Sequence, residues 1–340
     1  MNWLKLKNHL DKYLPLYVLL SMIAGFFIGQ HINVKAHHSL FKTLNMIVVI
    51  TMIYPMMINL KVSEMRHAAK LWKQLLIAVT MGLVVSPLLM YGLIKLTGIF
   101  VPISAKLALG LLLAVVVPCS SMSIAYTGFT DGNLELATII VALSFTLAIF
   151  TVPIWLKVFA SAYHLSISAW LLVKTIIIVV VIPMILGIIT REILLRKLGP
   201  EGFLKIKPMF PSISLLGMYT IVFLIFMEKA KLVASKPVIV AIALIPLFLY
   251  YLTALLFLTF FNKAIGIPYR DHMAMTFTSV GKNEGTALAI AIAAGMGVMA
   301  IAPAVAPILQ IPFLVGYVKI AGTIKKFWHF EELKPAENLE

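Results

Sequence analysis

Ten windows of about twenty predominantly apolar residues follow one another along the chain, and no motif constrains the fold as strongly as that pattern. They fall near 14–32, 41–60, 75–98, 106–128, 134–160, 168–190, 209–227, 237–262, 272–295 and 298–320. In lipid every backbone donor and acceptor must be satisfied internally, so only helices or a closed barrel can cross. Apolar runs this long, without two-residue alternation, read as helices. Composition agrees, with 61% hydrophobic and only 12% charged residues, where a soluble domain carries about a quarter charged. The expected fold class is therefore an all-α polytopic membrane protein with ten transmembrane helices. Residues 1–340 form one integral membrane domain, and the tail 321–340 is too short for a core of its own. The opening "MNWLKLKNHLDKYLPLY" lacks a short apolar core followed by small residues, so no cleavable signal peptide is expected.

A net charge of +15 invites a nucleic-acid reading, which its distribution argues against. With the N-terminus in the cytosol, about 18 Lys and Arg fall on cytosolic segments and about nine on outer ones. That bias predicts a multi-pass protein of the cell (inner) membrane with both termini cytosolic, its basic loops facing lipid headgroups. The densest clusters are "KVSEMRHAAKLWK" (61–73) and "REILLRKLGPEGFLKIK" (191–207). The single cysteine, Cys119, excludes an internal disulfide and a multi-thiolate metal site. His37 and His38 are adjacent in a short loop, and no zinc spacing occurs. Without a Walker motif, GxSxG or HExxH, no ATP-driven pump, membrane hydrolase or bound cofactor is expected.

The longest polar connections join the second span to the third and the sixth to the seventh. The latter divides the chain into halves of about 14–160 and 168–320. Five spans each, an odd number, place the halves in opposite orientations, as inverted repeats require. The fourth span is interrupted at "VVPCSSMSIAY" (116–126), where Pro118 removes a backbone donor. The ninth is interrupted at "SVGKNEGT" (279–286), with Gly281 and Gly285 as the weak points. These positions correspond in the two halves, and paired interruptions point to a midplane binding site in a secondary transporter.

Two charges stand at the second interruption. Burying one in hydrocarbon costs at least ~2.5–3.5 kcal/mol, so Lys282 and Glu284 mark a cavity or a self-neutralising ion pair that locks packing. In the functional reading Lys282 supplies fixed positive charge to an anionic ligand and Glu284 takes and releases a proton. Ser120, Ser121, Ser123 and Asn283 lie at the same depth and are expected to line the pocket. Cys119 is a further candidate, although a buried free cysteine more often only packs. In "IAGFFIGQ", Gly25 and Gly29 read as a close helix contact. The eighteen methionines read as apolar filling.

These segments resemble the bile acid/sodium symporter superfamily, and within it the Acr3-type arsenite exporters. The resemblance is carried in order by "MIYPMMINLKVSEM" (52–65), "SPLLMYGL" (86–93), "PCSSMSIAYTGFTDGNLELA" (118–137), "FTSVGKNEGTALAIAIA" (277–293) and "APILQIPFLVGYV" (306–318). It implies two inverted five-helix repeats, a panel and a core domain, and crossing of the broken helices 4 and 9. By position it also implies Cys119 and a ninth-span glutamate as a functional pair. The glutamate column falls on Gly285, with Glu284 one residue earlier. At the places of the sodium branch's ligands stand Gly82, Ser123-Ile124, Ala137, Val141 and Ser279, of which Ser123 keeps its oxygen. Lys282 stands close to the second ion's place, where its ammonium could replace the cation.

Three readings follow. The first is a sodium-independent, Acr3-like secondary transporter, either proton-coupled or uncoupled, exporting arsenite or a related small metalloid or anion. The second is an organic-anion carrier in which Lys282 replaces the coupling cation. The third is a non-transporting membrane receptor or scaffold.

Overall fold

The computed structural model describes residues 3–32, 38–59, 71–119, 121–165, 169–235, 238–295 and 297–329. Residues 61–70 of the first basic cluster, Ser120, His37 and the tail from 330 lie outside the described residues, as do the side chains of His38 and Ser121. Among the described residues every regular element is helical. The chain opens with α1 (Trp3–Lys12), α2 (Leu14–His31), α3 (His38–Ile58), α4 (Trp72–Thr80), α5 (Ser86–Phe100), α6 (Ala105–Val116), α7 (Ser121–Phe129) and α8 (Leu134–Ala162). There follow α9 (Ala169–Ile176), α10 (Ile182–Ile206), α11 (Met209–Glu228), α12 (Ala230–Ser235) and α13 (Val238–Ala264). The chain continues through α14 (Tyr269–Val280), α15 (Glu284–Ala293), α16 (Ile301–Lys319) and α17 (Ala321–Phe327). One π-helical turn, Met81–Val85, joins α4 to α5, and another, Ile177–Val181, joins α9 to α10.

Among the described residues, eight helical stretches are long and apolar enough to cross a membrane: Leu14–His31, Ser39–Ile58, Trp72–Phe100, Leu134–Ala162, Val173–Ile206, Met209–Glu228, Val238–Ala264 and Gly297–Lys319. Each overlaps one expected span. The other two expected spans, 106–128 and 272–295, are each two short helices: α6 with α7, and α14 with α15. Large apolar side chains such as Phe100, Phe150, Trp170 and Phe260 point outward, while the polar Thr276, Thr278, Ser279, Lys282, Asn283 and Glu284 are buried. That inversion of a soluble protein's surface is what a hydrocarbon solvent demands. The chain is a polytopic helical membrane protein.

The helices pack in two groups. On one side α11 lies between α2 and α3, and α10 lies against α3. On the other, α13 and α16 pack together, with α5, α6, α8, α14 and α15 around them. The first group owes its closeness to missing side chains. A Cβ at Gly25 would fall on the Phe223 carbonyl oxygen, and one at Gly29 on the Met227 backbone. The obstruction is backbone, which cannot turn aside as a side chain can. Gly29→Ala is therefore expected to destabilise the protein by about 1–3 kcal/mol, the usual cost of overpacking. Thermal unfolding in detergent checks it, and an unchanged midpoint would show that α2 is free to move off α11.

Candidate functional site

The two broken helices meet at their breaks. α6 ends at Val116 and α7 starts at Ser121, so Pro118 and Cys119 lie in the connection, as expected from a residue that cannot donate. α14 ends at Val280 and helix resumes at Glu284. α7 packs on α14 and α6 on α15. A Cβ on Gly281 would lie 2.7 Å from Ser123 Oγ, so glycine is required there for close approach of the two breaks. Its φ of −70° is open to any residue.

Gly285 is not part of the break, contrary to the sequence expectation. The Asn283 side chain accepts from the Thr286 N–H at 2.9 Å and caps the new helix, leaving Gly285 as its second residue. A Cβ there would meet the Met52 sulfur at 3.4 Å, an ordinary van der Waals contact, so packing does not demand glycine at this position. Glu284, the first residue of α15, lies where the positive end of the helix dipole favours a carboxylate.

Lys282 is 1% exposed, and its ammonium donates to the Gly82 carbonyl at 2.8 Å. Local sequence explains why that carbonyl is free. In the π-helical turn the Ser86 N–H reaches back to Met81 O rather than to Gly82 O. The next residue, Pro87, has no N–H to offer. Gly82 O is thus left without a helical donor, and the lysine supplies one. The Leu83 carbonyl would look to Pro87 for its α-helical bond and instead accepts from Trp155 Nε1 at 2.7 Å. One proline creates two acceptors, and side chains from distant helices take both.

The backbone of Lys282, stranded between helices, is satisfied from α16. Its N–H donates to Gln310 Oε1 at 2.6 Å, and its carbonyl accepts from Gln310 Nε2 at 3.0 Å. On the far side, the Tyr251 hydroxyl on α13 lies 3.2 Å from Glu284 Oε1 and 3.3 Å from Gln310 Oε1. Lys282 and Glu284 form no ion pair with each other: the ammonium ends on α4–α5 and the carboxylate on Tyr251 of α13 and Gln310 of α16. The packing-lock reading of the two charges is not what the geometry contains.

A cavity of about 810 Å³ lies between the two helix groups. Lys282, Asn283, Glu284, Gly285 and Gln310 line it at mid-helix depth, and Lys7, Asp11 and Lys207 line it near the ends of α1 and α10. Between these levels the wall is largely apolar and includes Met52, Met56, Met57, Met122 and Met218. The methionines are therefore not only filling. Met56 accepts a weak hydrogen bond from Asn283 Nδ2 at 3.3 Å.

Of the expected site residues, Lys282, Asn283 and Glu284 come together on this wall. Cys119 and Ser123 do not: both are buried behind it, Cys119 with 0% exposure. The reason is rotational. In α7 the face carrying Met122, Ala125 and Phe129 turns to the cavity, and Ser123 turns toward Gly281. Reading a shared depth as a shared facing overlooks the roughly 100° between neighbouring side chains on a helix. Gln310, Tyr251 and Trp155 were missed. Gln310 carried a usable signal, as a lone amide within an apolar span between Pro307 and Pro312.

The comparisons with known proteins agree with this architecture. Residues 46–236, more than half of the chain, match the Sodium Bile acid symporter family. The arsenical-resistance protein Acr3 of Corynebacterium glutamicum is 26% identical, over 92% of this chain and 88% of its own length. The protein of the same name from Alkaliphilus metalliredigens is 21% identical, over 94% of each chain. An uncharacterized transporter of Synechocystis is 22% identical, over 94% of this chain and 90% of its own. With its apolar helices, its broken pair and this match, the chain belongs to the sodium/bile acid symporter family of membrane transporters.

Proposed function

We infer that the chain is a sodium-independent secondary transporter that exports arsenite or a related small metalloid, in exchange for a proton. The carrying observation is the buried pair at the second break: an ammonium held by a carbonyl and a separate carboxylate, carried by two residues that line the cavity. A fixed ammonium at this place supplies the positive charge that a bound cation would otherwise bring. The similarity to two proteins named for arsenical resistance supports the substrate. In this reading the eight continuous helices and the two interrupted ones make ten passes, arranged as two inverted repeats of about 14–160 and 168–320. The helix group around α11 is the panel and the group around α13 and α16 the core. With both termini in the cytosol of a cell-membrane protein, the cavity beside α1 faces inward, the loading side for an exporter.

Cys119 gives the reading its test. One thiol cannot offer arsenic three sulfurs, so binding through one sulfur plus oxygens is weak and reversible. Arsenite uptake into everted membrane vesicles, in sodium-free buffer with an imposed pH gradient, is expected to exceed that of empty-vector vesicles and to vanish in Cys119→Ser. Uptake that needs sodium would overturn sodium independence, and no uptake would remove arsenite.

A second reading has its own observation. The cavity is large for a hydroxide of one metalloid atom, its wall is mainly apolar, and Cys119 is behind it. Pockets of about 300–1,000 Å³ suit organic ligands. An organic-anion carrier with Lys282 facing a carboxylate or sulfonate predicts that Cys119→Ser is harmless while loss of Lys282 abolishes transport.

A further inference from the structure

At the second break, one hydroxyl proton has two acceptors, and they belong to different parts of the machine. Tyr251 is fully buried, and its ring is fixed at an edge against Tyr250, with centroids 5.3 Å apart, and against Phe313, at 5.9 Å. With the ring held, the remaining freedom is rotation of the O–H. Glu284 Oε1 and Gln310 Oε1 lie almost equally far from it, at 3.2 and 3.3 Å. Both distances exceed the ~2.7–2.8 Å at which such bonds are strongest, so neither acceptor holds the proton firmly.

The two acceptors do different work. In the proposed function Glu284 carries a charge that comes and goes. Gln310 replaces the helical partners that Lys282 lost where the helix breaks, accepting from its N–H and donating to its carbonyl. Those partners are lost for stated reasons: the extended backbone of Gly281 (ψ 107°) carries the Lys282 N–H away from Thr278 O, and the Thr286 N–H is taken by the Asn283 side chain. The amide of Gln310 is therefore what fixes the backbone between α14 and α15.

We propose that Tyr251 is a positioning residue that relays the charge state of Glu284 to the helix break through Gln310. When Glu284 is ionised, the hydroxyl donates to the carboxylate, because charge-assisted bonds are roughly twice as strong as neutral ones. When Glu284 is protonated that advantage disappears, and the hydroxyl turns to Gln310 Oε1. That oxygen then accepts from Tyr251 as well as from the Lys282 N–H, which fills both of its lone pairs. Protonation thereby changes the hold on Lys282, whose ammonium ties the break to α4–α5 through Gly82. The other ionisable groups near Glu284 are Tyr250 on α13, Tyr126 on α7 and Lys282 with Cys119 beside it. Lys7, Asp11 and Lys207 lie on the same cavity wall farther out.

The inference rests on Glu284 as the site of the proton and needs no assumption about the solute. Its test uses Cys119, the chain's single thiol, which is buried at the facing break. The full-length protein in liposomes is reacted with methyl methanethiosulfonate from about pH 6 to about pH 9, a range in which a buried carboxyl can titrate. Rates for the wild type are divided by those for Glu284→Gln at each pH, which cancels ionisation of the thiol itself. The ratio is expected to move several-fold across the range in the wild-type background. In the Tyr251→Phe background it is expected to stay within about twofold, as in a double-mutant cycle whose coupling has been removed. An undiminished movement in Tyr251→Phe overturns the relay alone. A flat ratio in the wild-type background overturns Glu284 as the proton site, and the relay with it. Should Tyr251→Phe fail to fold, Gln310→Met cuts the relay at its other end and is expected to flatten the ratio in the same way.

Discussion

Lys282→Met is expected to fold at close to wild-type stability while transport falls about a hundredfold, the effect of losing some 3 kcal/mol from a buried charged contact. Two stability terms oppose each other. Leaving the Gly82 carbonyl unpaired costs about 1–3 kcal/mol. Removing an ammonium from membrane depth relieves about 2.5–3.5 kcal/mol. Methionine keeps the length and the apolar stem, so neither a cavity nor a clash is added. The terms offset, and the loss of transport has to come from the missing charge and the untied break. Both solute readings require this, since each places positive charge at the second break. Thermal unfolding in detergent and uptake in everted vesicles, made on the same preparation, separate the two effects. Near-wild-type uptake would take Lys282 out of the site, and a collapsed unfolding midpoint would make it a structural residue.

The physics that makes Lys282 expensive also made it legible. Lipid leaves a mid-span charge no cheap explanation, so "SVGKNEGT" pointed to a helix break with two buried charges from sequence alone. Pro118 and Gly281 marked where the helices stop, because a missing N–H and a missing side chain act locally. The restart at Asn283 went unread, and Gly285 reads as part of the break although the Asn283 cap already starts the helix before it. The cavity-facing side of α7 was not legible. Ser123 and Met122 are neighbours in sequence, and which of them faces the cavity depends on how an irregular connection sets the rotation of the half-helix after it. The partner of Lys282 was hidden more deeply. "SPLLMYGL" shows a proline, but the acceptor it frees lies five residues upstream, in a π-helical turn whose register is decided by packing. Gln310 and Tyr251 were visible as polar groups in apolar spans, yet what they bind comes from chain segments 28 and 33 residues away.

Glu284→Gln separates the proton from the solute. Glutamine keeps the size of the side chain and the helix start that Asn283 caps, so the break is expected to hold the shape it has with Glu284 protonated. It cannot take or release a proton. Accumulation driven by a pH gradient is then expected to fall about a hundredfold, equivalent to some 2.7 kcal/mol of lost coupling. Exchange of labelled for unlabelled solute across the same membrane needs no net proton movement and is expected to persist. With arsenite as the probe, counterflow and gradient-driven uptake can be read in one vesicle preparation. Gradient-driven accumulation that survives would move the coupling proton to another group. Loss of both activities would mean that the carboxylate touches the solute itself. That outcome would bring Glu284 and Lys282 into one binding site despite their separate partners. Persistence of exchange alone would leave the lysine to set the charge of the pocket and the glutamate to carry the proton, a division already present in the separate bonds to Gly82 and Tyr251.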